Sequence, residues 1–363
     1  MSRPRGAWLL IAWAGVAASL AHAAEHPGES GAARVGQPPP EREQAPPDVQ
    51  AIADVGGVLT PKGVLVVEPA LQFSNSQVNR FTFLGTEILS TFLVGLFEAV
   101  DTDRSVVSPQ LNLRYGLSNR LEVGLKIPWV YREERRQARI PEVDSAEESD
   151  SQVITETLRG EDIGDVELSL HYQFNGGEGP YYVGNLRYKS RTGRGPFEVD
   201  FDAQGVEEEL ATGSGFHAIE PSLTVLVRSD PAVLYGNIGY VFNMDDEIDT
   251  TIGRGDNAQY IGSVDPGDSV RLSFGMALSV NQRTSVNLGY KHDFIDGTES
   301  EIGSSEDSTA EFETAELQSG SLLLGVSHRV DKRTSANFNL EIGATADAPD
   351  VVVTLSLPIS FGP

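Results

Sequence analysis

The chain carries few side chains suited to covalent chemistry. It has no cysteine and six histidines, two of them within the first 26 residues. Thiolate nucleophiles and cysteine-based metal sites are excluded, and the scattered imidazoles do not support a metal centre. No phosphate-cradling glycine loop and no nucleophile elbow occurs. One enzymatic reading is worth weighing, a hydrolase whose serine and histidine meet at a membrane interface. His292 and His328 share the apolar phase of their segments but fall near opposite ends of the expected strands, so they do not form one site. We therefore assign no catalytic residue, no cofactor and no metal ligand.

Charge is more informative. The chain has 27 basic and 53 acidic residues, and the acids cluster. Residues 297–316 hold seven carboxylates and no Lys or Arg, and residues 245–266 hold six against Arg254. Glu198, Asp200, Asp202, Glu207, Glu208 and Glu209 form a third group. None has the spacing of a calcium-binding loop, so a solvated acidic surface is expected, with cation bridging to lipopolysaccharide phosphates as the alternative. Arg254-Gly255-Asp256 matches an integrin-binding tripeptide by chance.

A second set of charges is spaced differently. Arg114, Glu122, Lys126, Glu167, His171, Arg187, Lys189, Glu220, Arg228, Arg271, Lys291, Asp293, Arg329 and Glu341 all lie on the polar phase of segments that alternate strictly. In the run Leu121–Tyr131, the odd positions are Leu, Val, Leu, Ile, Trp and Tyr, whereas Glu122, Gly124 and Lys126 take the even ones. The same period of two recurs over 166–174, 270–280, 286–294, 336–342 and 351–361. Such alternation builds β-strands with one apolar face.

Three features point the apolar face outward, towards lipid. The segments run about 9–12 residues, as a tilted membrane-spanning strand requires, whereas sandwich strands cluster near 5–6. The polar phase is rich in glycine and ionisable groups (Gly124, Gly239, Gly275, Gly289, Gly325), as suits a lumen. Aromatic residues gather near segment ends, among them Tyr115, Trp129, Tyr131, Tyr172, Phe174, Tyr181, Tyr240 and Phe294, where interfacial girdles sit. Backbone polar groups cannot stay unpaired in hydrocarbon, so the sheet must close.

The expected fold is all-β, a transmembrane antiparallel up-and-down β-barrel of 12 strands: 62–75, 103–116, 119–131, 162–175, 179–191, 214–229, 231–244, 267–281, 283–296, 317–330, 333–344 and 349–361. Fourteen is the alternative if residues 76–102 add a hairpin. Tight turns near 116–119, 175–179, 229–231, 281–283 and 331–333 alternate with long connections at about 132–161, 192–213, 245–266 and 297–316. The tight turns then face the periplasm and the acidic connections face outward.

The N-terminus reads as an export signal. Arg3 and Arg5 precede an apolar run to Leu20, and Ala21-His22-Ala23 follows. Residues 1–23 are expected to be a cleaved signal peptide, which shifts the net charge from −26 to −28. Residues 24–55, with Pro38-Pro39-Pro40 and Pro46-Pro47, have the composition of a disordered periplasmic linker, and 56–363 form the barrel.

Several short motifs resemble the phenol meta-pathway degradation-like outer-membrane proteins. They are Gly57-Val58-Leu59-Thr60-Pro61-Lys62-Gly63 with Glu68-Pro69, the turn from Arg114 to Glu122 with Ile127-Pro128, and Gly164-Asp165-Val166. Lys189-Ser190-Arg191-Thr192-Gly193, Gly213-Ser214-Gly215 and Gly239-Tyr240 also fit, although Arg191 replaces that family's proline. The resemblance covers about residues 56–361. It implies an outer-membrane barrel that passes small molecules, often hydrophobic or aromatic, and brings no catalytic residues. One departure is that the final alternation ends at Phe361 with Gly362 and Pro363 beyond it, so the terminal aromatic insertion signal is displaced.

The reading is thus an outer-membrane channel, its lumen lined by the fourteen charged or polar residues named above. The alternative is a structural or surface-interaction barrel acting through its acidic loops. Expected partners are outer-membrane lipid and lipopolysaccharide, the barrel-assembly machinery and a small solute, with no nucleic acid.

Overall fold

The computed structural model describes residues 59–77, 98–140, 152–176, 179–202, 207–255, 258–305 and 308–362. The expected signal peptide, the linker 24–55 and residues 78–97 of the uncertain stretch 76–102 lie outside them.

The strands are β1 (Leu65–Ser76), β2 (Glu98–Ser118), β3 (Leu121–Ile140), β4 (Gln152–Ile163), β5 (Glu167–Gln173), β6 (Tyr181–Lys189), β7 (Ala218–Ser229), β8 (Ala232–Asn243) and β9 (Asp246–Ile252). They continue with β10 (Gln259–Asp265), β11 (Ser269–Asn281), β12 (Thr284–Ile295), β13 (Glu299–Ser305), β14 (Ser308–Glu313), β15 (Leu317–Arg329), β16 (Ser335–Gly343), β17 (Val351–Ser356) and β18 (Ile359–Phe361). All pairings between the named strands are antiparallel, and β1 pairs both β2 and the β17–β18 tandem, which closes the sheet into a ring. β4 pairs the far half of β3 and β5 the near half, so the two occupy one place in the wall. Counted this way, the barrel has twelve strands.

The expected inversion is visible residue by residue. Leu71, Phe73, Leu111, Trp129, Leu186, Leu223, Ile238, Phe274, Leu288, Leu324, Phe338 and Leu355 are exposed. Ser108, Glu122, Thr224, Ser285, Asn287, Ser327, Asn337 and Ser356 are buried on the opposite phase. A continuous apolar exterior of this extent is unfavourable in water and suited to lipid. The near half of the interior is laced by amides and hydroxyls. Asn185 Nδ2 donates to Ser222 Oγ and Thr224 Oγ1, both at 3.1 Å, Ser327 Oγ donates to Asn337 Oδ1 at 2.7 Å, and Gln110 Nε2 donates to Gln72 Oε1 at 3.2 Å.

Some expectations are corrected. The strands β2 and β3 continue far past the membrane length, to 21 and 20 residues, and residues 98–102 belong to β2. The long connections are not unstructured. Strands β9, β10, β13 and β14 form a second, four-stranded sheet in the order β14-β13-β10-β9. Ile261, Val264 and Ile302 of that sheet form one buried cluster with Phe216, and Phe197, Ile248 and Ile252 pack against the cluster. Acidic side chains concealed this sheet from hydropathy, because it needs only one apolar face. Tyr181, expected in a girdle, instead faces inward and packs with Leu226 and Tyr235.

The orientation makes a quantitative demand. Leu288→Arg places a charge on the exposed phase of β12 between Met276 and Leu324, which should cost about 2–4 kcal/mol of stability in a bilayer. Asn339→Ser, on the interior phase of β16, should cost about 1 kcal/mol or less. Guanidinium unfolding of liposome-inserted protein measures both, and equal costs would mean that the faces are assigned wrongly.

Candidate functional site

Alternation and register bring the inward charges of neighbouring strands together. Lys126 of β3 lies opposite Glu167 of β5, and Nζ sits 3.2 Å from its carboxylate. Arg187 of β6 reaches the other oxygen of Glu167 at 3.2 Å and also pairs with Glu220 of β7. Arg271 of β11 donates to Glu220 at 2.9 Å and lies 3.6 Å from Asp293 of β12. Six side chains on six strands thus form one alternating ladder. Glu68–Arg114, at 3.2 Å, and Lys291–Glu341 extend the same pattern on either side.

The Glu220–Arg271 contact has to cross β8, and a glycine makes this possible. A Cβ at Gly239 would stand 3.1 Å from Glu220 Oε1 and 3.0 Å from Ser222 Cβ. Any larger side chain there would push between the carboxylate and the guanidinium. Gly239 thus ties the sequence motif Gly239-Tyr240 to the continuity of the ladder.

The remaining sequence-derived residues are placed as follows. Lys189 lies opposite Glu167 in the β5–β6 register, beside the ladder. His171 Nδ1 is 2.8 Å from Asn185 Oδ1, and Nε2 is 3.1 Å from Ser169 Oγ. Glu122 is buried near the start of β3 and accepts from Thr60 N–H at 2.7 Å. Arg228 stacks over the inward Tyr181 ring, 4.7 Å from its centroid. Arg329 lines a shallow depression at the tight-turn end with Asn281, Thr284 and Ser335. The ladder brings together Lys126, Glu167, Arg187, Glu220, Arg271 and Asp293, and the structure leaves Arg228, Arg329 and Glu122 apart from it at the tight-turn end. His292 and His328 sit eight positions apart along the β12 register, bonded to Tyr290 and Thr284 respectively.

A second cluster escaped sequence reasoning. Beyond Tyr131 the inward phase of β3 continues through Arg132, Glu134 and Arg136. Glu134 is fully buried, accepts from Arg104 at 2.6 Å and Arg136 at 2.6 Å, and Arg136 also bonds Glu207 at 3.1 Å. Burial would raise the Glu134 carboxyl, but Arg104 and Arg136 outweigh it and hold the group below the usual carboxylate range. Burial pushes Glu207 upward. Arg132 donates to Ala211 O at 2.5 Å. The signal was present in the sequence as the continued phase, but outside the membrane the opposite face is polar too, so the alternation of hydropathy disappears.

These contacts fasten the β6–β7 connection to the interior face of β3 and β4. Leu210 N bonds Arg159 O at 3.0 Å, and Thr212 Oγ1 bonds Ile163 O at 3.0 Å. Asp165 is the hub. Its carboxylate accepts from Gly193 N at 3.1 Å, Ser214 N at 2.8 Å and Ser214 Oγ at 2.7 Å. Gly193 and Gly213 are pressed so close that a Cβ on Gly193 would stand 2.7 Å from Gly213 Cα. Three motifs far apart in the chain, at Gly164-Asp165, Thr192-Gly193 and Gly213-Ser214, are therefore one knot.

No family model matches the chain. Among solved structures it is similar to the COG4313 outer membrane channel from Pseudomonas putida F1, at 14% identity over 84% of this chain and 98% of that one, with a TM-score of 0.50. It is equally similar in shape to the translocator domain of the autotransporter NalP from Neisseria meningitidis, at 7% identity over 86% of this chain and 93% of that one, again with a TM-score of 0.50. At such identities the likeness is one of fold, and the fold is that of an outer-membrane β-barrel.

Proposed function

We propose that the protein is an outer-membrane channel for the passive passage of small molecules, hydrophobic or aromatic compounds among them. The observation that carries the reading is the state of the ladder. Its side chains are inside the barrel yet not sealed, with 35% of the Lys126 side chain, 36% of Arg187 and 27% of Lys291 exposed. Charges held against an accessible interior act on whatever enters it. The fold likeness to an outer-membrane channel agrees with this, as does the motif resemblance. The tight turns face the periplasm in this reading, and the acidic sheet faces the medium.

That packed acidic sheet also favours a second reading, a barrel that works mainly through surface interaction. Planar-bilayer recording separates the two. Purified folded protein should give discrete conductance steps, and liposomes containing it should swell in small aromatic solutes. Absence of both from protein with a heat-modifiable gel shift sinks the channel.

The ladder gives a sharper test. Gly239→Val should part Arg271 from Glu220 without altering the outward face. Crowding against Ser222 and Glu220 should cost about 1–3 kcal/mol, so a retained heat-modifiable gel shift shows first that the variant is folded. The reversal potential in a salt gradient should shift, because the ladder would divide into two networks, Lys126–Glu167–Arg187–Glu220 and Arg271–Asp293, that face the lumen separately. An unchanged reversal potential would mean that solutes do not pass the ladder.

A further inference from the structure

The residues just before β1 do not leave the barrel along its rim. Gly116 lies between the exposed Tyr115 and Leu117, so its missing side chain would point inward. A Cβ placed there would collide with the carbonyl oxygens of Pro61 and Thr60. The backbone of Thr60-Pro61 therefore rests on the interior face of β2. Thr60 N–H, itself buried, donates to the buried carboxylate of Glu122 on the interior phase of β3 at 2.7 Å. Leu59 is buried as well. Further along, Lys62 N–H donates to Asn119 Oδ1 at 3.1 Å, Gly63 N–H to Gly116 O at 2.8 Å, and Gly116 N–H to Val64 O at 3.1 Å. Gly63 then turns the chain into β1 with a φ of 79°, a conformation that glycine adopts without strain.

We propose that Leu59–Gly63 forms a strap laid against the inner wall at the tight-turn mouth, that it narrows the pore there, and that Glu122 is its latch. Glu122 is a positioning residue in this scheme: it acts on solutes through the strap. Its carboxylate takes a backbone donor from the strap, whereas the ladder carboxylates take side-chain cations. The proposal also explains why glycine stands at position 116, since any Cβ would lift the strap off the wall. Two motifs that sequence reasoning could only quote side by side, Leu59–Gly63 and Arg114–Glu122, become the two halves of one joint.

The inference rests on the channel reading, and two measurements keep their failures separate. The first is conductance. Glu122→Ala removes the acceptor, and Gly116→Ala displaces the strap from the other side, so each should raise single-channel conductance about twofold and admit larger polymer blockers from the tight-turn side. The second needs no conduction. The chain has no native cysteine, so a thiol introduced by Thr60→Cys reports the strap alone and keeps its N–H. It should be protected from a membrane-impermeant maleimide in the otherwise unchanged protein and react about tenfold faster when combined with Glu122→Ala, because the latch bond is lost. If the parent protein does not conduct, the channel reading fails and the thiol still tests the strap. If the thiol is equally reactive in both backgrounds, or if both alanine variants fold with unchanged conductance and blocker size, the strap proposal is overturned.

Discussion

The pairing of β1 with β17 and β18 is the interaction on which the rest depends. In hydrocarbon an unpaired backbone amide or carbonyl costs several kcal/mol, and a sheet edge exposes a whole row of them. Only a ring removes both edges. Once the ring exists, every strand has an outer face in lipid and an inner face that lipid never touches, and the period of two assigns each residue to one or the other. The charged ladder follows from closure in the same way, because inward residues on adjacent strands lie within about 5 Å of one another. Lys126 and Glu167 meet because register places them opposite, and no loop has to deliver them.

Closure also limits where the wall can change. Pro128 and Pro221 lie within strands, and ladder pairs are skipped beside both. Near Pro128 the wall passes from β5 to β4, and Gly164 N–H recovers a bond to Pro128 O at 2.9 Å. The Asp165 knot sits directly after that joint. Its acceptors satisfy the backbone N–H groups of a connection that has left the regular ladder, which a buried loop cannot leave unpaired. The break in the wall and the knot are therefore one structural solution.

Much of this was legible in the sequence. The inversion of faces, the twelve wall positions and the inward phase of Arg114, Lys126, Glu167, Arg187 and Arg271 all follow from strict alternation, which lipid enforces on one side. What was not legible falls outside the lipid. The strand extensions carrying Arg132, Glu134 and Arg136, and the strands within the acidic connections, have solvent on at least part of their surface, so hydropathy carries no period there. Tyr181 misled for a different reason. An aromatic near a strand end suits a girdle, but its phase matches Leu226 and Tyr235, and phase outranks residue type once the wall is closed.

Pairing partners within the ladder were harder still, because they depend on which strand sits beside which and on small residues between them. Glu220 and Arg271 belong to strands that do not touch, and only the hydrogen at Gly239 leaves room for them to meet. The motifs quoted from the sequence behave alike. Gly116, Gly193, Gly213 and Gly239 are each places where something else must pass close to the backbone, and none carries a function of its own. In this barrel the wall is specified by what the strands contain, whereas the contents of the lumen are specified largely by what a few positions lack. A motif of short glycine-containing pieces is what such a division leaves in a sequence, and it marks the places where another segment or side chain comes close against the inner wall.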